Sequence, residues 1–393
     1  MDADDDARTI GARLRQIRYA RGKSLVVIAG LAGVSKSHLQ RLETGERALD
    51  SRSETVALAN ALQVAPSELT RRPVPAPANG DADSAEDAVR LALIAISRNR
   101  PGGQVVGVEQ LRARANAIES MDYDSRGAAL PGLIRDLHST LLAGRDVAEL
   151  LELAVMVHAQ TTRGWLYVVG APLDLRREAA TLALRMAQER DEPIALGVAA
   201  WGAVIEMLAA GAFGLAETEL DSVTVPTNTS EGMQLDGMLA LSRSLVAAAD
   251  KRPGDMQAPL EYATEVAQRT GQGNAFRMGF GPLNVGLWRM AGALEARDPD
   301  QVIQVAERLR PQEHPSRERR ATYWMDYGRA LTRVGRRDEE AIVALRRAEE
   351  LFPMRVLRNP FAREVLAELL YRSRRDAIGR ELRGMAYRAG LLV

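Results

Sequence analysis

The sequence predicts an all-α protein: a small N-terminal helical domain, a linker, and a longer run of paired helices. Three observations carry that prediction. Apolar residues recur at three- and four-residue spacing through most of the chain, with almost no strand pattern. The stretch RRPVPAPANGDADS, residues 71 to 84, breaks the periodicity with proline, glycine, alanine and aspartate. Charge changes at the same place: from Ala7 to Arg72 there are twelve Lys or Arg against five Asp or Glu, inside a chain that has 52 of each. The expected organisation is a disordered acidic tail at 1–7, a basic domain at 8–72, a flexible linker at 73–84 and a helical-repeat domain at 85–393.

A basic small domain on a neutral large one points to a polyanion as partner of the small one. The remaining composition excludes more than it identifies. Hydrophobic residues make up 46% and charged residues 26%, the balance of an ordinary soluble globular protein. With no cysteine there is no disulfide, thiolate nucleophile or zinc-thiolate site. His38, His138, His158 and His314 show no metal-ligand spacing. Gly22-Lys23-Ser24 resembles the tail of a phosphate-binding loop, but Ile17 stands where the leading glycine belongs. No enzyme activity, metal or cofactor is expected. The opening MDADDDAR is acidic, without the basic and apolar parts of a signal peptide, and no uninterrupted apolar run approaches about 18 residues. The expected location is the cytoplasm, away from membranes.

Along the basic segment, Ile10, Leu14 and Ile17 start a first helix that Gly22 ends. Ser24 can cap a second helix running to about Ala32, and Gly33 supplies a tight turn. Ser35 can cap a third helix, in which Leu39 and Leu42 face one side while Lys36, Ser37, Gln40, Arg41 and Thr44 share the opposite arc. That arc carries two cations and no acid. A fourth helix around Thr55 to Leu62 and a short turn at Pro66 to Leu69 complete five helical pieces. A helix, a glycine turn and a second helix with an exposed polar face have the geometry that fits a DNA major groove.

The same segments, IGARLRQIRYARGKS, AGVSKSHLQRLETGER and TVALANALQVAPSEL, resemble the helix-turn-helix domain of Cro and phage-repressor relatives, the XRE family. The resemblance implies that the helix opened at Ser35 is the recognition helix and that double-stranded operator DNA is the partner. Lys36 and Arg41 then suit guanine O6 and N7, and Ser37 and Gln40 suit base edges or phosphates. His38, at the border of the face, either packs or reads. Ser35, Arg47 and Arg52 are expected on phosphates, Ser35 through the helix N-terminus. The resemblance also implies an internal ion pair between Arg18 and Glu43, the latter in the family's Glu-x-Gly ending. One departure stands out: SLVVIAGL puts Leu25 where relatives carry a polar phosphate contact. The extra apolar surface, Leu25 to Leu31, is expected to dock against the large domain or a second subunit.

In the second half, ATYWMDYGRALTRVGRRDEEAIVALRRAEELFP places Trp324, Tyr327, Gly328, Leu331, Gly335, Ala341, Leu345, Ala348 and Pro353 in an order similar to a tetratricopeptide repeat. A fainter copy runs from Ala200 through Gly211 to Leu220, and residues 85 to 190 fit the repeat poorly. The order of a Cro-like domain followed by degenerate repeats resembles bacterial regulators that sense an effector, a small molecule or peptide, and bind DNA as homodimers. The turn FGPLNV, where Pro282 suits a first helical turn, recurs in that group. Phe276, Arg277, Asn284 and Trp288 are therefore read either as the lining of an effector pocket or as a cap and core packing. An alternative reading of the whole is a protein-interaction adaptor whose helix-turn-helix domain has drifted from DNA.

Overall fold

A computed structural model describes residues 7–71, 80–373 and 377–391. Among these the chain is helical throughout and no strand occurs. The N-terminal domain comprises α1 (Ile10–Ala20), α2 (Leu25–Ala32), α3 (Lys36–Thr44), α4 (Arg52–Leu62) and α5 (Pro66–Thr70). Side-chain oxygens of Thr9, Ser24 and Ser35 accept the N–H groups of Ala12, Val27 and His38, so the first three helices start on hydroxyl caps. Gly33, at φ 69°, makes the left-handed turn between α2 and α3 that a side chain would strain. Gly11 allows α1 to lie against α3: a Cβ there would sit 2.0 Å from the Leu42 carbonyl oxygen. Leu14, Ile28, Leu39, Leu42, Leu49 and Leu58 are fully buried between the five helices.

The second domain runs through α6 (Gly80–Ser97), α7 (Val108–Ser120), α8 (Tyr123–Leu142), α9 (Val147–Met156), α10 (Arg163–Val168), α11 (Leu173–Arg190) and α12 (Pro193–Ala210). It continues through α13 (Phe213–Asp221), α14 (Ser230–Ala249), α15 (Gln257–Thr270), α16 (Pro282–Glu295) and α17 (Pro299–Arg308). It closes with α18 (Arg317–Leu331), α19 (Asp338–Leu351), α20 (Pro353–Leu357), α21 (Pro360–Arg372) and α22 (Ala377–Arg388). A π-helical turn, Val157–Thr162, joins α9 to α10. Sequential neighbours such as α11 and α12, α14 and α15, and α18 and α19 pack together, giving the solenoid its three successive cores.

Two expectations need correcting, and one apolar helix needs placing. The helical domain starts before residue 85, because α6 already includes residues 80–84 of the expected linker; residues 73–79 lie outside the described residues, as do residues 1–6 of the expected tail. Ala7, placed in the disordered tail, is buried. And α12 is long and apolar enough to cross a membrane by length and composition; here it is a core helix, with Val198, Ala199, Val204 and Leu208 buried among α11, α13 and α14.

The two domains are joined by specific contacts. Glu364 on α21 accepts the backbone N–H groups of Ile10 and Gly11 at the start of α1. Glu368, one turn further along, accepts the Ala48 N–H at 2.8 Å and pairs with Arg333 at 2.6 Å. Glu295, at the end of α16, accepts the Arg52 N–H at 3.0 Å and also pairs with the Arg52 guanidinium. Asp50 completes the set through Arg333 at 2.6 Å, while Arg329 donates to the Asp50 carbonyl at 2.7 Å. Burial pushes the Glu364 carboxyl up to about 7, against the pull of the Ile10, Gly11 and Leu49 N–H donors. Its folded value therefore lies above its unfolded one, so its stabilising contribution is complete in acid and is lost as pH rises toward 7. Relative to Glu364→Gln, which keeps an acceptor but cannot ionise, the full chain should lose roughly 3 kcal/mol between pH 4.5 and 7. Denaturant midpoints of both proteins across that range test this; parallel curves would show that Glu364 does not titrate there.

Candidate nucleic-acid interface and arginine-lined cavity

On α3, Leu39 and Leu42 anchor one face, which turns Ser35, Lys36, Ser37, Gln40, Arg41 and Thr44 outward, all of them exposed. The interdomain contacts use the start of α1, the α3–α4 loop, α4 and α5, so this face stays open. Arg18 locks α1 to α3: its Nε and Nη2 donate to the two Glu43 carboxylate oxygens at 2.6 and 2.7 Å, and its Nη1 donates to the Lys23 carbonyl at 3.0 Å. Both side chains are buried, and the Arg18 guanidinium also lies 4.4 Å from the Tyr19 ring centre.

Three residues expected at DNA serve elsewhere. Arg52 is held by Glu295 and lies over the Phe361 ring, so its charge belongs to the domain interface. Arg47 is half-buried there, its pKa lowered by burial and by Arg333. His38 Nε2 lies 2.7 Å from the Glu54 carboxylate on α4, which fixes the ring by packing rather than by base contact. That leaves Ser35, Lys36, Ser37, Gln40 and Arg41 as the free polar surface. Of the two partners expected for α2, the large domain does not cover it. Val26, Val27 and Leu31 are 61%, 46% and 67% exposed, so the large domain leaves this apolar face uncovered.

The four residues expected to line one pocket separate. Asn284 is fully buried; its amide meets the Met238 sulfur at 3.4 Å and it faces the core. Phe276 packs on the core of α12 to α16, with an unusual φ of 51°. Arg277, also at positive φ, and Trp288 do border a cavity of about 290 Å³. Paired strained residues beside a cavity are a feature of functional sites. The lining comes from α7, α8, α10, α12, α16, α18 and α20, and it reaches Arg52 and Phe361 at the domain interface. The π turn contributes Gln160 and positions Arg163 just after it.

Seven arginines line this cavity against four carboxylates, an excess of positive charge in a neutral chain. Arg277 reaches Glu119 at 2.9 Å, Arg329 reaches Asp326 at 2.9 Å, and Arg163 pairs with Glu206, just behind the wall, at 3.2 Å. Arg319 and Arg355 have no carboxylate within 4 Å among the described residues; Arg355 bonds the Thr322 hydroxyl at 3.1 Å and lies over the Tyr167 ring. Burial, with Arg355 and Arg163 nearby, lowers the Arg319 pKa. Of this cluster the sequence reading names only Arg277 as pocket lining. Its arginines are scattered from residue 52 to 355, and arginine is the common cation throughout the chain.

Comparison with known proteins reaches the small domain only. A family model described as a helix-turn-helix domain matches residues 9–71. No curated protein and no solved structure matches the chain.

Arg18 and Arg41, both cations of the same small domain, should behave oppositely on substitution. Arg18→Ala leaves Glu43 buried without its partner and should destabilise the full chain by about 3–5 kcal/mol. Arg41→Ala removes an exposed side chain and should stay within about 0.5 kcal/mol of the parent. Urea denaturation followed by circular dichroism checks both; equal destabilisation would contradict the division into lock and reading face.

Proposed function

We propose that the protein is a sequence-specific DNA-binding transcriptional regulator of the XRE type, with a tetratricopeptide-like helical domain that senses a small effector. The observation that carries this reading is the open face of α3, whose cations have no acid beside them while the small domain is docked through another side. Arg41 and Lys36 read guanines, Ser37 and Gln40 contact base edges or backbone, and the N-terminus of α3 with Ser35 meets phosphate. The protein acts in the cytoplasm and catalyses no reaction. It binds as a homodimer, since one helix-turn-helix domain covers a single half-site and two-fold pairs span half-sites about 10 base pairs apart or a multiple of that. The uncovered Val26, Val27 and Leu31 support a further protein surface meeting α2 in that assembly.

The adaptor reading predicts no sequence preference, which makes the test direct. Full-length protein should select a discrete operator from genomic fragments in competition with bulk DNA. On that operator Arg41→Ala should cost about 1–3 kcal/mol of affinity and relax preference at one base position. Lys36→Ala should cost affinity as well and flatten the salt dependence. Uniform binding of all fragments, or an Arg41→Ala protein with unchanged selectivity, would remove the DNA-reading assignment.

A further inference from the structure

We infer that the cavity between α10, α12, α16 and α18 binds a small organic anion, a carboxylate or phosphate carried on an apolar ring. This rests on reading the helical domain as a sensor and names the chemistry of what it senses. The first observation is the set of polar atoms in the cavity wall that lack a protein partner. They are Arg126 Nε, Gln160 Nε2, Trp201 Nε1, Trp288 Nε1 and His314 Nε2. Every one of them is an N–H donor. For His314 this follows from its other nitrogen: Nδ1 accepts the Ser316 N–H at 3.1 Å, so the ring hydrogen resides on Nε2. Trp201, Trp288 and His314 are 6%, 8% and 3% exposed, so their donors are sheltered from bulk water. Buried donors without acceptors cost free energy. A ligand that fits this wall must therefore bring acceptors and few donors.

The second observation is independent of the first and concerns charge. Arg319 and Arg355 form no ion pair within 4 Å among the described residues; Glu318 and Asp326 act on them only from further away, and the Tyr167 ring lies under Arg355. Holding such guanidiniums near one another is unfavourable, and a carboxylate or phosphate forms short charge-assisted bonds to them. Trp201, Trp288, Ile205 and Leu245 add apolar surface to the same lining. Arg163 lies 4.9 Å from the Trp201 ring centre and is held by the Ala159 carbonyl and Glu206, so it fixes that ring and is not itself free for a ligand. The cationic and the apolar side chains of the lining call for the ligand's two parts. At about 290 Å³ the cavity stands at the small end of those that enclose whole ligands.

Occupancy would reach the DNA-binding domain directly. Arg52 and Arg329 line the same cavity, and they are the residues that hold the α4 start and the Asp50 loop through Glu295 and the Asp50 carbonyl. An anion drawing either guanidinium inward loosens those contacts, which gives the ligand different affinities for docked and released arrangements.

The test uses the full chain without DNA, so its outcome is separate from that of the operator experiment. Phenyl phosphate and benzoate are titrated at fixed ionic strength against the neutral isosteres benzamide and benzyl alcohol, by calorimetry and thermal melting. At least one anion should bind saturably and at least about tenfold more tightly than the neutral compounds, and comparison of the two anions decides between phosphate and carboxylate. Arg319→Gln should remove that preference while Arg319→Lys retains part of it, with circular dichroism melts confirming that both are folded. Arg355→Gln provides the same comparison from the second cation. Three results would overturn the assignment: neutral isosteres binding as tightly as the anions, glutamine variants that keep the preference, or no member of the panel binding the parent protein.

Discussion

The arrangement of this molecule depends on carboxylates of the helical domain accepting backbone N–H groups of the helix-turn-helix domain. A helix begins with N–H groups that have no partner within it, and a carboxylate is favoured there by the helix dipole as well. Glu364 supplies the acceptor for α1 and Glu295 for α4, while Glu368 holds the loop between them at Ala48. Such bonds are directional and refer to main-chain positions, so they fix orientation more firmly than apolar contact alone. The small domain is consequently held by one side, and α3 points away from the solenoid.

The interface and the cavity share residues. Glu295 ends α16, the helix that also presents Trp288, and Arg329 sits on α18 two turns beyond Thr322 of the cavity wall. Phe361, at the start of α21, packs on the core of the small domain and closes the cavity from below the Arg52 guanidinium. One set of side chains therefore borders both the cavity and the docked face of the helix-turn-helix domain.

Buried polar groups give the solenoid further fixed points. Arg163 and Arg176 both pair with Glu206, which is 1% exposed on the otherwise apolar α12. This is the position at which a helix apolar enough for a membrane is tied into a protein core. His138 on α8 and His158 in the π turn approach to 2.7 Å between their Nε2 atoms. Burial pushes His138 down to about 4 and His158 well below its ordinary value, so the pair is neutral and one ring donates to the other.

Local rules in the sequence determined much of the small domain. Apolar spacing, Ser24 and Ser35 as caps and Gly33 as a turn were sufficient to outline α1 to α3, because each is a short-range requirement of helix geometry. The exposed arc of α3 followed from the same periodicity. At α4 the sequence reading began near Thr55, whereas the helix starts at Arg52, since its first turn is completed by Glu295 from 243 residues away. That distance explains the other differences too. Arg47 and Arg52 look like DNA contacts when only their neighbours in sequence are considered, and they became interface residues because Glu368, Arg333 and Glu295 meet them in space. Asn284 and Trp288 share a helix yet face core and cavity respectively, a distinction set by what packs on each side. The arginine-rich cavity belongs wholly to the tertiary structure: its charges come from helices far apart in the chain, and their excess exists only where the solenoid brings those helix faces together.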